Sequence, residues 1–239
     1  FQINMGLINH KIDVVVGTHA LFSDDVTFSS LGLAVIDEQH RFGVNQRLLL
    51  ASKGEHADLL LMSATPIPRT LALTLYGDLD VSTLTQFPFS QRKTMTKVVS
   101  NSDSLIHKTI KQAINKQQRV YVVAPVIDVS STGLVSVEEL FKYYEKLYPG
   151  QVSLLHGQMS IDDKNYALGE FISGKTPIIV STSVIEVGID VKEASTMVIY
   201  APTSFGLASL HQLRGRIGRD GKEATCLLVY DGEDEDEIS

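Results

Sequence analysis

The sequence has 239 residues, 44% hydrophobic and 21% charged, an ordinary globular balance that excludes a disordered chain. At about 150 residues per domain it holds one large domain or two small ones, and no apolar run approaches the ~20 residues of a membrane-crossing helix. The net charge of −7 does not exclude a nucleic-acid partner: six of the 28 acidic residues crowd the last nine positions, leaving 22 acidic against 21 basic in a nearly neutral body.

The single cysteine, Cys226, excludes an intramolecular disulfide, argues against a cysteine-ligated zinc site and points to a reducing cytosol. Phe1 opens the chain without a methionine and without the zones of a signal peptide. The acidic run from Asp231 to Ser239 follows a strand-like segment and reads as a solvated tail. Both ends look like cuts, so a fragment is expected.

Along the first half, Asp13–Val16, Leu33–Ile36 and Leu59–Met62 are short aliphatic runs bounded by polar or turn residues, and they predict buried strands. Residues Asn45–Ser52 and Arg69–Tyr76 fit helices, with Pro66 and Pro68 marking the turn into the second. The segment Thr85–Lys93 has a proline, two glutamines and no helical period. It predicts a linker dividing residues 1–90 from 91–239.

The second half alternates again. Strands are predicted at Met95–Val99, Val120–Ala124, Val152–Leu155, Ile178–Ser181, Met197–Tyr200 and Thr225–Tyr230. Helices fit Ser104–Gln117, Val137–Leu147, Ile161–Ser173 and Leu207–Ile217, with Asp103 and Ser160 as N-caps for two of them. The alternation predicts an α/β fold, a parallel sheet covered on both faces in each of two halves. The first half supplies about three core strands where an open sheet usually has about five or six, so the rest is expected before Phe1.

Val35-Ile36-Asp37-Glu38-Gln39-His40 puts two carboxylates directly after an aliphatic strand, at the edge where open α/β sheets place ligands. Asp37 could hold Mg²⁺ through a water, and Glu38 could deprotonate an attacking water. A strand ending in solvated acids, or a metal cluster using His40, His19 or His10, stays open on these residues alone. Ser63, Ala64 and Thr65 end the next strand and fit either a capped turn or a relay from the carboxylate loop. Gly17 and Thr18 fit either a turn or an amide and hydroxyl aimed at a phosphate.

In the second half, His156 and Gly157 end one strand and Thr182 another, the latter running on through Gly188 to Asp190. Thr182 could contact a nucleic-acid phosphate and Asp190 a nucleotide edge, or the stretch is a buried strand with a capped helix. Gln212-Leu213-Arg214-Gly215-Arg216-Ile217-Gly218-Arg219 packs three arginines and two glycines into one short span, although each glycine weakens a helix by ~1 kcal/mol. A planar guanidinium can bind a phosphoryl group in two places; a solvated basic turn is the other reading.

The order of these pieces resembles superfamily 2 helicases. IDEQHRFGVNQR (36–47) and MSATPIPRTLALTLYGDLD (62–80) are similar to the RecG family, as are GTHALF (17–22), IEVGID (185–190) and LHQLRGRIGR (210–219). The transcription-repair coupling helicase Mfd has a related arrangement, but Gln39-His40 and Gly17-Thr18-His19-Ala20 favour RecG. The resemblance implies two RecA-like lobes of the P-loop NTPase type, the first incomplete, binding ATP and Mg²⁺.

It also implies roles. Asp37 and Glu38 fall on the motif for Mg²⁺ and the hydrolytic water, and Gln39 and His40 complete it and couple it to the second lobe. Ser63, Ala64 and Thr65 match a coupling motif. Gly17, Thr18, His156, Gly157 and Thr182 match nucleic-acid contacts. Gly188 and Asp190 belong to a nucleotide-facing motif; Gln212, Arg216 and Arg219 match the arginine motif, its arginines ligating the γ-phosphate. The implied partners are branched DNA (forks and Holliday junctions) and single-stranded DNA-binding protein, for a cytoplasmic monomer away from membranes. A catalytically inactive RecA-like binding module is the alternative.

Departures from the family pattern are expected too. No Gly-x-x-x-x-Gly-Lys-Ser/Thr string is expected anywhere in the chain, and with it neither the phosphate cradle nor its lysine. The family's N-terminal wedge domain and the translocation element after lobe two are not represented either.

Overall fold

The computed structural model describes residues 2–37, 53–54, 57–63, 80–84, 94–101, 104–126, 135–182, 191–219 and 221–230. It divides into two compact units, Phe1–Val81 and Ser82–Ser239. The expected helices at 45–52 and 69–76, the linker at 85–93 and the cap Asp103 lie outside the described residues.

The first unit opens with helix α1 (Gln2–Ile8). Asn4 ties it to the loop beyond, donating from Nδ2 to the Asp25 carbonyl and accepting from the Thr27 amide at 3.2 Å. Strands β1 (Leu33–Ile36) and β2 (Asp58–Leu61) pair in parallel, with Leu33 opposite Asp58 and Ile36 opposite Leu61. Ala34 and Ile36 are buried against Leu59 and Leu61.

Two expectations need correction here. Residues 13–16 form no strand; Val14 and Val16 are 79% and 93% exposed. Their β-branched side chains satisfy strand propensity, but a strand is held by a hydrogen-bonded neighbour, and neither described strand pairs with them. Leu33 and Val35 are about half exposed, so β1 is packed on one face rather than two.

The second unit is a six-stranded, all-parallel sheet ordered β3-β8-β7-β4-β6-β5. Its strands are β3 (Thr94–Ser100), β4 (Arg119–Val123), β5 (Val152–Leu155), β6 (Ile178–Ser181), β7 (Ala194–Tyr200) and β8 (Ala224–Tyr230). Alternate residues of β4 point to opposite layers. Val120 and Val122 meet α2 (Ser104–Asn115) and α3 (Val137–Leu147) through Ile106, Ile110 and Tyr144. Tyr121 and Val123 meet α4 (Ile161–Ser173) and α5 (Leu207–Arg214) through Phe171 and Leu213. The buried central strands read as near-continuous aliphatic runs because both faces are covered.

Sequence signals set the helix ends. Ser160 caps α4 as expected, its hydroxyl accepting from the Asp163 amide at 3.1 Å. Ser136 and Glu139 form a capping box on α3, a Ser-x-x-Glu signal passed over in the sequence reading. Helix α5 stops at Arg214, three residues before its expected end at Ile217, because Gly215 caps it and Gly218 takes a left-handed turn at φ +67°.

Arg119 locks the far end of α4. It is 9% exposed and donates to the carbonyls of Phe171 (2.9 Å), Ile172 (3.2 Å) and Gln117 (2.6 Å). A cation on the last carbonyls complements both their unmet hydrogen bonds and the helix dipole. Gly174, left-handed at φ +85°, leaves room for the guanidinium, which occupies the space a Cβ would need. Arg119→Leu is expected to cost about 2 kcal/mol, since bonds from a charged donor are worth about 1.5–3 kcal/mol and leucine recovers some packing. Chemical denaturation checks it; a midpoint equal to that of the unmodified chain would deny the lock.

Candidate helicase motifs

Register, more than sequence distance, brings the candidate residues together. In the first unit Ile36 pairs with Leu61, and the Met62 amide donates to the Ile36 carbonyl at 2.8 Å. The exposed Asp37 and the half-buried Ser63 therefore leave the same edge of the pair within a residue of each other. Glu38, Gln39, His40, Ala64 and Thr65 lie outside the described residues. Gly17 and Thr18 lead into a 3₁₀ turn (His19–Phe22), closed by the Leu21 amide on the Thr18 carbonyl at 3.0 Å. The exposed Thr18 hydroxyl makes no cap bond there. Among the described residues no three His, Cys, Asp or Glu side chains group to hold a metal ion.

In the second unit Leu155 and Val123 both stand opposite Ser181. His156 and Thr182 therefore leave the C-terminal edge of the sheet on adjacent strands. Thr182 is buried, and its carbonyl accepts from the Ser181 hydroxyl at 3.0 Å. His156 is half-buried; its amide contacts Met159 Sδ at 3.4 Å, and its buried Nδ1 has no partner. Lys164, on the first turn of α4, donates from Nζ to the Gly157 carbonyl at 2.6 Å. The sequence reading passed over Lys164, for nothing but its place seven residues on marks it. Gly188 and Asp190 fall outside the described residues.

The arginine motif sits at the other edge. Helix α5 follows the end of β7 and runs back across the sheet, so its last residues reach the N-terminal ends of the strands. The Gly218 amide donates to the Ala194 carbonyl, at the start of β7, at 2.9 Å. A Cβ on Gly218 would lie 2.9 Å from that of Ala224, at the start of β8. Gln212, Arg216 and Arg219 are half-buried, and Arg219 Nε donates to the Gly215 carbonyl at 3.2 Å. Arg214 faces the buried Cys226, but burial dominates and pushes that thiol up to about 11, far from a reactive thiolate.

One expectation is corrected by the letters themselves. Gly169–Thr176 (GEFISGKT) does spell Gly-x-x-x-x-Gly-Lys-Thr. A phosphate loop joins a strand to the start of a helix, whereas these residues end one. Gly169 lies inside α4 and Gly174 is its C-cap. Lys175 pairs with Glu170 at 2.5 Å, and the buried Thr176 hydroxyl meets Ser153 Oγ at 2.6 Å. Carbonyls, not amides, point out of a helix C-terminus. The match cannot cradle phosphate.

Family models match the description DEAD/DEAH box helicase over residues 2–74 and helicase conserved C-terminal domain over residues 101–221. The ATP-dependent DNA helicase RecG of Thermotoga maritima is 47% identical, over 95% of this chain and 30% of that protein. That of Aquifex aeolicus is 48% identical, over 93% of this chain and 29% of its own length. The solved structure of RecG bound to a three-way DNA junction superposes with a TM-score of 0.72 at 43% identity, covering 98% of this chain and 31% of that one. The helicase Lhr of Mycobacterium smegmatis, bound to ssDNA and AMP-PNP, matches with a TM-score of 0.62 at 18% identity, covering 88% of this chain and 30% of that one, and shares the fold alone. This chain thus spans about three-tenths of the RecG proteins it matches. The expected α/β class with RecA-like lobes is borne out, as is the similarity to RecG. The chain belongs to the family of the helicase conserved C-terminal domain, with a shorter match to the DEAD/DEAH box helicase model before it, and its similarity to RecG extends over nearly its whole length.

Proposed function

We propose that this chain is the motor portion of an ATP-dependent DNA helicase of the RecG type, a translocase on double-stranded DNA that remodels forks and Holliday junctions. Residues 1–90 form the later part of lobe one and 91–239 most of lobe two. The observation that carries the reading is the 47% identity to RecG across 95% of the chain. The family resemblance supports a monomer with single-stranded DNA-binding protein as a further partner, and the single cysteine supports a reducing cytosol.

The residues fit Mg²⁺ and ATP in part. Asp37 is an exposed carboxylate at the end of β1 with the Ser63 hydroxyl on the neighbouring strand, hard oxygen donors of the kind Mg²⁺ takes. When bound, Mg²⁺ neutralises charge on the phosphates. Glu38, next in sequence, removes a proton from the attacking water. Arg216 and Arg219 place guanidinium charge where negative charge grows on the transferred group, and their planar forks hold it bidentately. The family roles give Gly188 and Asp190 to the nucleotide, and Gln39, His40, Gln212, Ser63, Ala64 and Thr65 to coupling hydrolysis with movement on DNA. Gly17, Thr18, His156, Gly157 and Thr182 take the DNA backbone.

The one Gly-x-x-x-x-Gly-Lys-Thr string of the sequence ends a helix, so among the described residues no amide nest and lysine stand ready for the β- and γ-phosphates. Phosphate release by the purified chain is therefore expected to stay at background with or without DNA. A longer protein that places a strand–loop–helix Gly-Lys-Thr before Phe1 is expected to turn over ATP when DNA is added. Robust hydrolysis by the 239 residues, abolished by Glu38→Gln, would overturn the missing-cradle reading. Failure of the longer protein to hydrolyse ATP would favour a binding module without catalysis.

A further inference from the structure

We infer that the groove between α2 and α3, on the outer face of the second unit, docks an acidic peptide segment of another protein that carries large apolar side chains. Each helix leads into a strand of the same parallel sheet, α2 into β4 and α3 into β5, so the two run side by side in one direction. They meet at His107 and Tyr143, whose Nε2 and hydroxyl share a hydrogen bond of 2.9 Å. The Tyr143 ring also stands edge-on to that of Tyr144, 5.2 Å away at 79°. Tyr144 is buried and fixed in turn, its hydroxyl 2.8 Å from that of Tyr200 on β7. Tyr143 is therefore held from two sides, yet 46% of it stays exposed. A ring already fixed loses little entropy when a partner covers it, as an aromatic anchor requires.

One turn on from that contact the groove gains cations. Lys111 follows His107 by four residues, and Lys146 and Leu147 follow Tyr143 by three and four, which puts them on the facing sides of the two helices. Leu147 is as exposed as Tyr143. Helix α2 has no acidic residue. On α3, Glu139 closes the capping box with Ser136, and Glu145 accepts from the Gly150 amide at 2.8 Å. Glu138, five residues before Tyr143, lies on a different side of the helix. Lys108, Lys111, Lys142 and Lys146 are exposed, and none pairs with a carboxylate among the described residues. Four uncompensated cations clustered on a chain of net charge −7 select a negative partner. Tyr143 and Leu147 decide between a peptide and a nucleic acid. Bases stack on flat rings, which leucine lacks, whereas tyrosine and leucine together receive the apolar side chains of a peptide laid between helices.

The test is a fluorescence-anisotropy titration of the 239-residue chain against a short labelled peptide of glutamates and leucines, the leucines at helical spacing. Saturable binding that weakens as salt rises is expected. Replacing the peptide's glutamates by glutamines, or its leucines by serines, should lower affinity at least about tenfold, since each removes one half of the recognition. On the protein, Lys111→Glu with Lys146→Glu is expected to cost as much and to turn the preference toward a lysine–leucine peptide. Tyr143→Ala should also cost about tenfold, and Tyr143→Phe, which keeps the ring, much less. These side chains are exposed, so the variants are expected to melt with the parent. No saturable binding by about 1 mM peptide, or binding that the lysine and tyrosine variants leave unchanged, would overturn the proposal. So would a mixed-sequence DNA single strand that binds more tightly than the peptide and weakens in the same variants, for the face would then be a nucleic-acid surface.

Discussion

Arg219→Ala is expected to cut ATP turnover by at least about a hundredfold in a RecG-type protein that joins this chain to a phosphate-binding loop, while DNA binding stays largely intact. The figure is at the cautious end of the ~10³–10⁵ that arginine fingers contribute. The geometry motivates the split. Arg219 lies on the turn at the N-terminal ends of β7 and β8, held by the Gly218 bond to Ala194 and by its own Nε on Gly215. His156 and Thr182 lie at the opposite edge of the same sheet, a strand length of roughly 15–20 Å away. One guanidinium cannot serve both edges. Arg219→Lys is expected to rescue poorly, because a point charge cannot reproduce a planar fork. Glu38→Gln should also stop turnover yet keep ATP bound. Steady-state phosphate release and duplex binding, on variants with parental circular dichroism and melting curves, check this. Full ATPase activity with lost DNA affinity would make Arg219 a DNA contact instead.

Much of the second unit was legible because both faces of its sheet are covered. Val152–Leu155, Ile178–Ser181, Val137–Leu147 and Ile161–Ser173 fall where period and composition place them. Burial on both sides leaves strands of unbroken aliphatic character, and helices of 11 and 13 residues span enough turns to show their apolar stripe. Residues 13–16 show the converse. Asp-Val-Val-Val is strand-like by propensity, but pairing is a property of neighbours, and sequence alone does not say which neighbour is present. Arg119 was illegible for a related reason: its carbonyl partners on α4 lie more than 50 residues away, and only the fold brings them together.

The candidate site was legible as an ordered set of motifs and illegible as a layout. Reading Ile36–His40 placed the acids at the ligand edge of their strand, but reading Gln212–Arg219 named the arginines without the sheet edge they would occupy. The direction of α5 decides that, and direction follows from topology. The converse case is a string of letters that the sequence reading passed over. Gly169–Thr176 satisfies a phosphate-loop pattern yet ends a helix, with its lysine spent on Glu170 and its threonine buried on Ser153. A motif acts through the backbone it sits on. Here that backbone presents carbonyls.

Gly218→Ala is expected to destabilise the second unit by about 3 kcal/mol, the sum of a left-handed alanine at about 1–2 and a core overpacked at about 1–3. Gly218 has φ +67°, a conformation that costs glycine nothing. A Cβ there would stand 2.9 Å from the Cβ of Ala224, which is buried at the start of β8 and has no rotamer by which to move aside. At 2–4 °C per kcal/mol for a domain of this size, the melting temperature should fall by roughly 6–12 °C. The adjacent Arg219 makes the effect functional as well. Either the turn shifts to relieve the clash, weakening the 2.9 Å bond to Ala194, or β8 moves; both displace the guanidinium from its place over Gly215. Turnover in the longer protein should therefore fall even where melting shows the variant folded at the assay temperature. Adding Ala224→Gly removes the facing methyl but not the backbone strain. The double variant is thus expected to recover the packing share of the loss and keep the conformational share. Parental melting and turnover in Gly218→Ala would show that the turn can be made without a left-handed glycine, and that the arginine is positioned by something other than this backbone.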